Sequence, residues 1–161
     1  MFILVPKDLL IDIKSSINTD IMNFLSIDCS TDLGSLFIKV KNKTFNKVLQ
    51  SDKYSNDLLM KQILDFFIEN DLSFSDISEI LVNQGPGNFS ALRSSLATAK
   101  GISLAKNLKL FGYNTFLWSC IKFFNKQDII YSLTKYREKY FVKKFNKNLI
   151  SNTKVEEITK E

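Results

Sequence analysis

The sequence contains no histidine among its 161 residues. Histidine is the commonest general base in enzymes and the commonest metal ligand. Its absence excludes Ser-His and Cys-His catalytic pairs, and a zinc site would need an unusual set of ligands. The two cysteines, Cys29 and Cys120, are too few for a disulfide framework and lack zinc-site spacing. We therefore expect a reducing, cytoplasmic environment.

Long hydrophobic runs are also absent, since no stretch is long enough to cross a bilayer as a helix. The apolar start, Met1 to Pro6, lacks a basic flank, and Lys7 and Asp8 cut it short. It is therefore a poor signal peptide, and we expect no membrane association. With 45% hydrophobic and 24% charged residues, the chain can bury a core. Its length predicts one domain, or one full lobe with part of a second.

Proline and glycine are scarce, at two and five residues, and three of these seven stand together as Gly85-Pro86-Gly87. The preceding run Ile80 to Val82 has the composition of a buried strand. Pro86 fixes its own backbone and disfavours a helical Gly85, so the strand must stop here. Asn88 or Ser90 then caps a predicted helix that runs to about Asn107.

The chain before this turn predicts an antiparallel meander. Residues 23–27 form a strand that ends in the polar turn Asp28-Cys29-Ser30-Thr31-Asp32, and residues 35–40 and 44–49 form two more strands. Residues 1–21 have apolar positions at helical spacing but no evident tie to the meander. We interpret them as an N-terminal extension, with the functional chain beginning at Met22.

Two predicted helices carry apolar or small residues beyond those that packing on one core requires. In the predicted helix from Ser55 to Asn70, apolar residues fill an arc of roughly 200°, about twice what a surface helix needs. This surplus predicts that a second element packs on the helix, either from the same domain or from a partner. Met60 and Phe67 are candidates to face outward. The helix after the glycine turn carries a stripe of small residues that would let another helix approach closely: Ser90, Ser94, Ala97, Gly101 and Ala105.

The last third of the chain is basic. A strand at 109–113 and a helix at 115–124 precede a predicted hairpin of residues 129–133 and 139–145, with a polar tail from Asn146. From Lys122 onward there are ten Lys and Arg against five Asp and Glu, which is the whole net charge of +5. The cations interleave with aromatic residues as on single-stranded RNA surfaces, although a solvated lysine-rich face is the commoner explanation: Lys135, Arg137, Lys143 and Lys144.

Two turns are candidates for chemistry. The carboxylate of Asp28, followed by Ser30 and Thr31, could hold magnesium or a phosphate, and Gly85-Pro86-Gly87 presents backbone N–H groups at a helix N-terminus, where anions bind. Neither turn matches a phosphate-loop or dinucleotide fingerprint. Taken separately, each is more readily explained as structural.

Taken together, the motifs resemble the TsaB family, the dimerisation subunit of the bacterial machinery that makes threonylcarbamoyladenosine in tRNA. The resemblance runs from Met22 to about Phe145, and four segments carry it: Asn23 to Thr31, Tyr54 to Leu59, Gly85 to Arg93, and Ala97 to Gly101. This sequence has Tyr54 where the family usually has histidine, Met60 where it has proline and Ala91 where it has glycine.

The resemblance implies an α/β, actin-like (ribonuclease-H-like) fold with a mixed sheet. The first lobe would span 22–114, and a reduced second lobe with the polar tail 115–161. It also implies a non-catalytic scaffold that holds no cofactor, while partner subunits hold ATP and metal. The expected partners are a TsaD-like catalytic subunit, a TsaE-like ATPase, tRNA through the complex, and in the alternative a second copy of the chain.

The resemblance also assigns residues. The expected partner interface comprises Leu59, Met60, Ile63, Phe67, Ser90, Ser94, Ala97 and Gly101, and the motif residues are Asp28, Ser30, Thr31, Gly85, Pro86, Gly87 and Arg93. The alternative function is an ATP-dependent enzyme of the same fold, an ATPase or kinase that uses the Asp28 turn.

Overall fold

A computed structural model describes residues 22–31, 33–49, 56–136, 138–151 and 153–158 of the chain. These ranges contain eight strands and three α-helices, in the order β1 (Phe24–Asp28), β2 (Ser35–Val40), β3 (Lys43–Val48), α1 (Asn56–Glu69), β4 (Glu79–Asn83), α2 (Phe89–Lys106), β5 (Lys109–Tyr113), α3 (Thr115–Cys120), β6 (Ile129–Tyr136), β7 (Lys139–Asn146) and β8 (Glu156–Ile158). The predicted extension 1–21, Asp32, Tyr54, the helix cap Ser55 and Arg137 lie outside the described residues.

Five strands form a mixed sheet in the order β3-β2-β1-β4-β5. The first three strands are the predicted antiparallel meander, and β4 and β5 run parallel to β1. Parallel strands need long crossover connections, and α1 and α2 supply them. The predicted meander and the mixed α/β class are therefore confirmed.

Both helices pack on one face of this sheet and share its core. The strands contribute alternate residues such as Leu25, Ile27 and Ile80 because successive side chains in a strand point to opposite faces. α2 begins at the predicted cap, since the Asn88 side chain accepts a hydrogen bond from the Ala91 amide. It ends at Asn107, whose backbone is left-handed, as is common at helix C-termini.

The second sheet is smaller and has the order β6-β7-β8. Its strands are antiparallel, and β6 pairs with β7 over their full length. α3 packs on one face, where Phe116 and Cys120 meet Ile130 and Phe145. Within the predicted polar tail from Asn146, residues 156–158 form β8, whose short, exposed sequence has no strand pattern.

None of the helices within the described ranges combines the length and the apolar character needed to cross a lipid bilayer.

Glu79, at the start of β4, is a buried acid. Only 7% of its surface is exposed, and its Oε2 atom has no hydrogen-bond partner among the described residues. Its Oε1 atom lies 3.8 Å from Nζ of Lys109, which is itself largely exposed. Burial raises the pKa of Glu79 above its ordinary value, and the nearby Lys109 charge offsets this only in part. The folded chain therefore holds a proton on Glu79 more tightly than the unfolded chain does.

This burial predicts a pH-dependent gain in stability for Glu79→Gln. The wild type loses stability as pH rises from the ordinary glutamate pKa through the raised one, because ionisation is costlier in the folded state. The glutamine variant avoids that loss, so its free energy of unfolding should be higher near neutral pH, by on the order of 1 kcal/mol. Thermal melts should show this gap closing near about pH 4. Glu138→Gln, at an exposed turn, is the control, and an equal response of both variants would contradict the prediction.

Candidate functional site

The two turns singled out in the sequence lie against each other at one edge of the five-stranded sheet. The backbone N–H of Asn88 donates to the carbonyl oxygen of Ser30 at 2.9 Å. A Cβ atom on Gly87 would overlap the backbone of Ser30, so only glycine allows this approach. Gly85 has φ of +93°, a conformation that favours glycine for a different reason. We call this contact the turn junction.

The carboxylate of Asp28 is the polar centre of the turn junction. Its Oδ1 atom accepts hydrogen bonds from the Ser30 amide at 2.9 Å and the Ser30 hydroxyl at 2.6 Å. Its Oδ2 atom accepts from Nδ2 of Asn83 at 2.9 Å and, more weakly, from the Tyr113 hydroxyl at 3.4 Å. Each carboxylate oxygen is therefore already bonded to the chain's own donors.

Asn83 and Thr115 connect this carboxylate to the glycine turn. Asn83 is fully buried, and its Oδ1 atom accepts from the Gly85 amide at 2.8 Å. Its Nδ2 atom also reaches the Thr115 hydroxyl at 3.2 Å, and that hydroxyl donates to the Pro86 carbonyl at 2.9 Å. The Thr115 amide donates to the Gly85 carbonyl at 3.0 Å. These bonds fix the ends of β1, β4 and β5 to one another.

The surroundings of Asp28 keep a neighbouring phenol and a neighbouring thiol protonated. Burial raises the pKa of Tyr113, and the nearby charge of Asp28 raises it further. The phenol therefore remains a protonated donor. Burial also raises the pKa of Cys29 to about 12, with Asp28 adding to the effect. The Cys29 thiol is therefore not a nucleophile near neutral pH.

Two of the predicted motif residues lie apart from the turn junction. The Thr31 hydroxyl donates to the Leu33 carbonyl at 2.7 Å in an exposed position. Arg93 is exposed on α2, with its guanidinium 5.4 Å from the centre of the Phe89 ring. Asp28, Ser30, Gly85, Pro86 and Gly87 do come together as described above. Within the ranges that the structure describes, no three His, Cys, Asp or Glu side chains are grouped so as to hold a metal ion.

The outer surface of α1 differs from the predicted interface. Leu59, Ile63 and Phe67 are buried in the chain's own core, and Met60 is half-buried against it. The expectation that Phe67 faces outward is therefore wrong, because its ring packs against Phe74, in the segment between α1 and β4. The apolar residues that do face outward on α1 are Leu64 and Ile68, the latter 72% exposed.

The predicted small-residue stripe on α2 lies mostly on the surface. Ser90, Ala97 and Gly101 are exposed, whereas Ser94 is buried. A Cβ atom added at Gly101 would meet nothing within 4 Å, so packing among the described residues does not explain this glycine. Leu104, 75% exposed, lies beside the stripe.

A groove of about 470 Å³ lies beside the C-terminal half of α1 and the last turn of α2. Leu64, Ile68, Phe74 and Lys106 are among the residues that line it. Together with the exposed small residues, it gives the two helices a partly apolar surface that no other described residue covers. We call the outer faces of α1 and α2 with this groove the helix surface.

Sequence reasoning missed Asn83, Tyr113 and Thr115 at the turn junction. A usable signal exists: Asn83 directly follows a buried apolar run, Tyr113 ends β5, and Thr115 lies two residues beyond it. The carboxyl ends of parallel strands meet at one edge of a sheet, so polar residues at these positions must be neighbours. No equivalent sequence pattern indicates that Leu64, Ile68 and Leu104 are the exposed apolar residues of the helix surface.

Residues 49–129 match the model of the family described as TsaD, tRNA N6-adenosine threonylcarbamoyltransferase. Two curated relatives from Buchnera aphidicola are each described as tRNA threonylcarbamoyladenosine biosynthesis protein TsaB. The protein of subsp. Baizongia pistaciae (strain Bp) is 33% identical over 84 residues, covering 52% of this chain and 38% of the relative. That of subsp. Acyrthosiphon pisum (strain APS) is 22% identical over 128 residues, covering 77% and 58%. The chain thus spans less than two thirds of either relative.

Two solved structures share the fold. YeaZ from Pseudomonas aeruginosa superposes with a TM-score of 0.65 at 13% identity, over 86% of this chain and 65% of YeaZ. A second structure, of a protein described by its similarity to peptidase YeaZ from Pseudomonas aeruginosa, gives a TM-score of 0.69 at 12% identity, over 85% and 66%. The mixed α/β, actin-like (ribonuclease-H-like) fold expected from the sequence is therefore confirmed.

Proposed function

The chain belongs to the TsaD (tRNA N6-adenosine threonylcarbamoyltransferase) family as a TsaB-like member, and we propose that it is a non-catalytic dimerisation subunit. The complex it serves adds threonylcarbamoyl to the adenosine beside the anticodon of tRNA. A TsaD-like subunit carries out the transfer and a TsaE-like ATPase completes the assembly. The helix surface, which stays exposed among the residues that the structure describes, is the observation that carries this proposal.

The helix surface suits a partner that also presents helices. Exposed Ala97 and Gly101 allow a facing helix to approach to the short end of the ~8–10 Å range of interaxial distances. Ile68 and Leu104 provide exposed apolar side chains beside them that lose contact with water on association. A four-helix arrangement of α1 and α2 with two partner helices would bury both features at once.

The charge of α2 specifies the partner further. Its 18 residues include Arg93, Lys100 and Lys106 and no acidic residue. A partner helix that lies along the stripe therefore meets cations at its margins. We expect acidic side chains on the partner at these positions, which would add steering and register to the apolar contact.

The turn junction supports a scaffold over the alternative ATP-dependent enzyme. Magnesium or phosphate at Asp28 would compete with the hydrogen bonds from Ser30 and Asn83. The contact of Gly87 with Ser30 also occupies the space between the two turns. A purified scaffold should not bind ATP with magnesium, whereas an enzyme of this fold should.

The proposal predicts that Gly101→Leu weakens association with the TsaD-like subunit and leaves the isolated chain folded. The Cβ atom of a leucine would meet nothing within 4 Å in the free chain, and the longer side chain would push a facing helix away. A typical overpacking cost is about 1–3 kcal/mol, which is roughly a 5- to 150-fold rise in Kd. Titration calorimetry with the TsaD-like subunit measures the Kd, and thermal melts of the chain alone test the fold.

Thr44→Leu is the matched control, because Thr44 is exposed on β3 and points away from Lys47, a residue of β3 that contacts α1. Equal Kd values for the two leucine variants and the wild type would contradict the proposed interface. Ultracentrifugation of the chain alone distinguishes a second copy from a heterologous partner. A homodimer that Gly101→Leu dissociates would assign the helix surface to self-association.

A further inference from the structure

The second sheet has one face that nothing in the described residues covers. Because strand side chains alternate, Ile130 and Ser132 of β6 point towards α3 and are buried. Ile129, Tyr131 and Leu133 point the opposite way, and each is more than half exposed. We call this side of β6, β7 and β8 the open face.

Two cross-strand pairs of tyrosine and lysine stand on the open face. Tyr131 of β6 is directly opposite Lys144 of β7, and Lys135 of β6 is directly opposite Tyr140 of β7. In each pair the lysine Nζ lies 5.8 Å from the centre of the tyrosine ring. The tyrosine stands on β6 in the first pair and on β7 in the second. Leu133 and Val142 lie opposite each other between the two pairs.

The spacing of these pairs matches an extended chain with a repeating charge. The positions of Tyr131 and Lys135 are four residues apart, which is about 13 Å along a strand. A base can stack on a tyrosine ring while the lysine beside it meets the adjacent phosphate. The flat aliphatic pair Leu133 and Val142 lies where sugar or base edges would pass between the two rings.

We infer that the open face binds single-stranded RNA, with Tyr131 and Tyr140 as stacking positions and Lys135 and Lys144 as phosphate contacts. The charge of this part of the chain complements RNA, with ten cations against five acids from Lys122 onward. On the open face itself, the described strands carry one acidic residue, Glu156 of β8. The other basic position predicted from the sequence, Lys143, lies on the opposite face beside Phe145.

This inference goes beyond the scaffold role and does not depend on the helix surface. Only the assignment of the cellular RNA as a tRNA loop rests on the proposed function. Binding by the isolated chain is measured without a TsaD-like partner. Failure of one proposal therefore leaves the other standing, and the two experiments report them separately.

The test is fluorescence anisotropy of the full chain with a labelled single-stranded RNA of about 12 nucleotides and mixed sequence. Replacing both Tyr131 and Tyr140 with leucine should weaken binding about tenfold or more, because two stacking positions are lost. Replacing both Lys135 and Lys144 with glutamine should flatten the dependence of log K on log salt by about 1.4, which corresponds to two phosphate contacts on a single strand.

The matched control is Lys139→Gln with Lys143→Gln, which removes the same charge from the same sheet on the opposite face. It should leave the salt slope unchanged, and thermal melts should show that each variant is folded. Equal slopes for the two glutamine pairs, or no RNA binding by the wild type, would overturn the inference. Loss of TsaD-like partner binding on Ile129→Asp with Leu133→Asp, without RNA binding, would assign the open face to a protein contact instead.

Discussion

Gly87→Ala should lower the free energy of unfolding by about 3 kcal/mol, at the upper end of overpacking costs. The added methyl group would overlap the backbone of Ser30, and a backbone cannot move aside as a flexible side chain does. The hydrogen bond from the Asn88 amide to the Ser30 carbonyl would be strained by the same displacement. For a chain of this size the loss corresponds to about 6–12 °C in Tm.

Gly101→Ala is the matched control, because it is the same substitution in a different environment. Its methyl group meets nothing within 4 Å, and alanine is favoured over glycine inside a helix by about 1 kcal/mol. The two alanine variants should therefore move Tm in opposite directions. A Gly87→Ala protein as stable as the wild type would mean that the two turns are not in tight contact.

The two turns could be predicted from the sequence because their residue types favour few backbone conformations. A proline between two glycines after an apolar run ends a strand, and Asn88 is a strong helix cap. The structure places α2 within one residue of the predicted bounds. The helix surface was harder to predict, since an apolar arc of roughly 200° on α1 does not show which part of it the core covers. Phe67 and Ile68 are neighbours in sequence, yet one is buried and the other exposed.

The turn junction was predicted only in part, for a different reason. Asp28, Asn83 and Thr115 are far apart in sequence, and only the pairing of β1, β4 and β5 brings them together. Composition also grouped Lys143 with Lys144, although the alternation of side chains along β7 separates them onto opposite faces. Register, which the sequence does not state, decides both of these outcomes.

Asp28→Asn should destabilise the chain although the two side chains have nearly the same shape. The carboxylate accepts hydrogen bonds at both oxygens, and the amide would place an NH₂ donor against the donors of Ser30 or of Asn83. Hydrogen bonds to a charged group contribute about 1.5–3 kcal/mol, so Tm should fall by about 3–12 °C. Asp128→Asn, at an exposed position, should change stability by no more than about 0.5 kcal/mol.

The same variant separates the scaffold from the ATP-dependent enzyme. A residue retained for catalysis commonly costs stability, so its removal leaves the fold unchanged or more stable. If Asp28 serves the fold, the variant is less stable, and calorimetry detects no binding of magnesium ATP before or after the change. Micromolar ATP affinity in the wild type, lost in Asp28→Asn without any fall in Tm, would instead assign Asp28 to an active site and overturn the scaffold proposal.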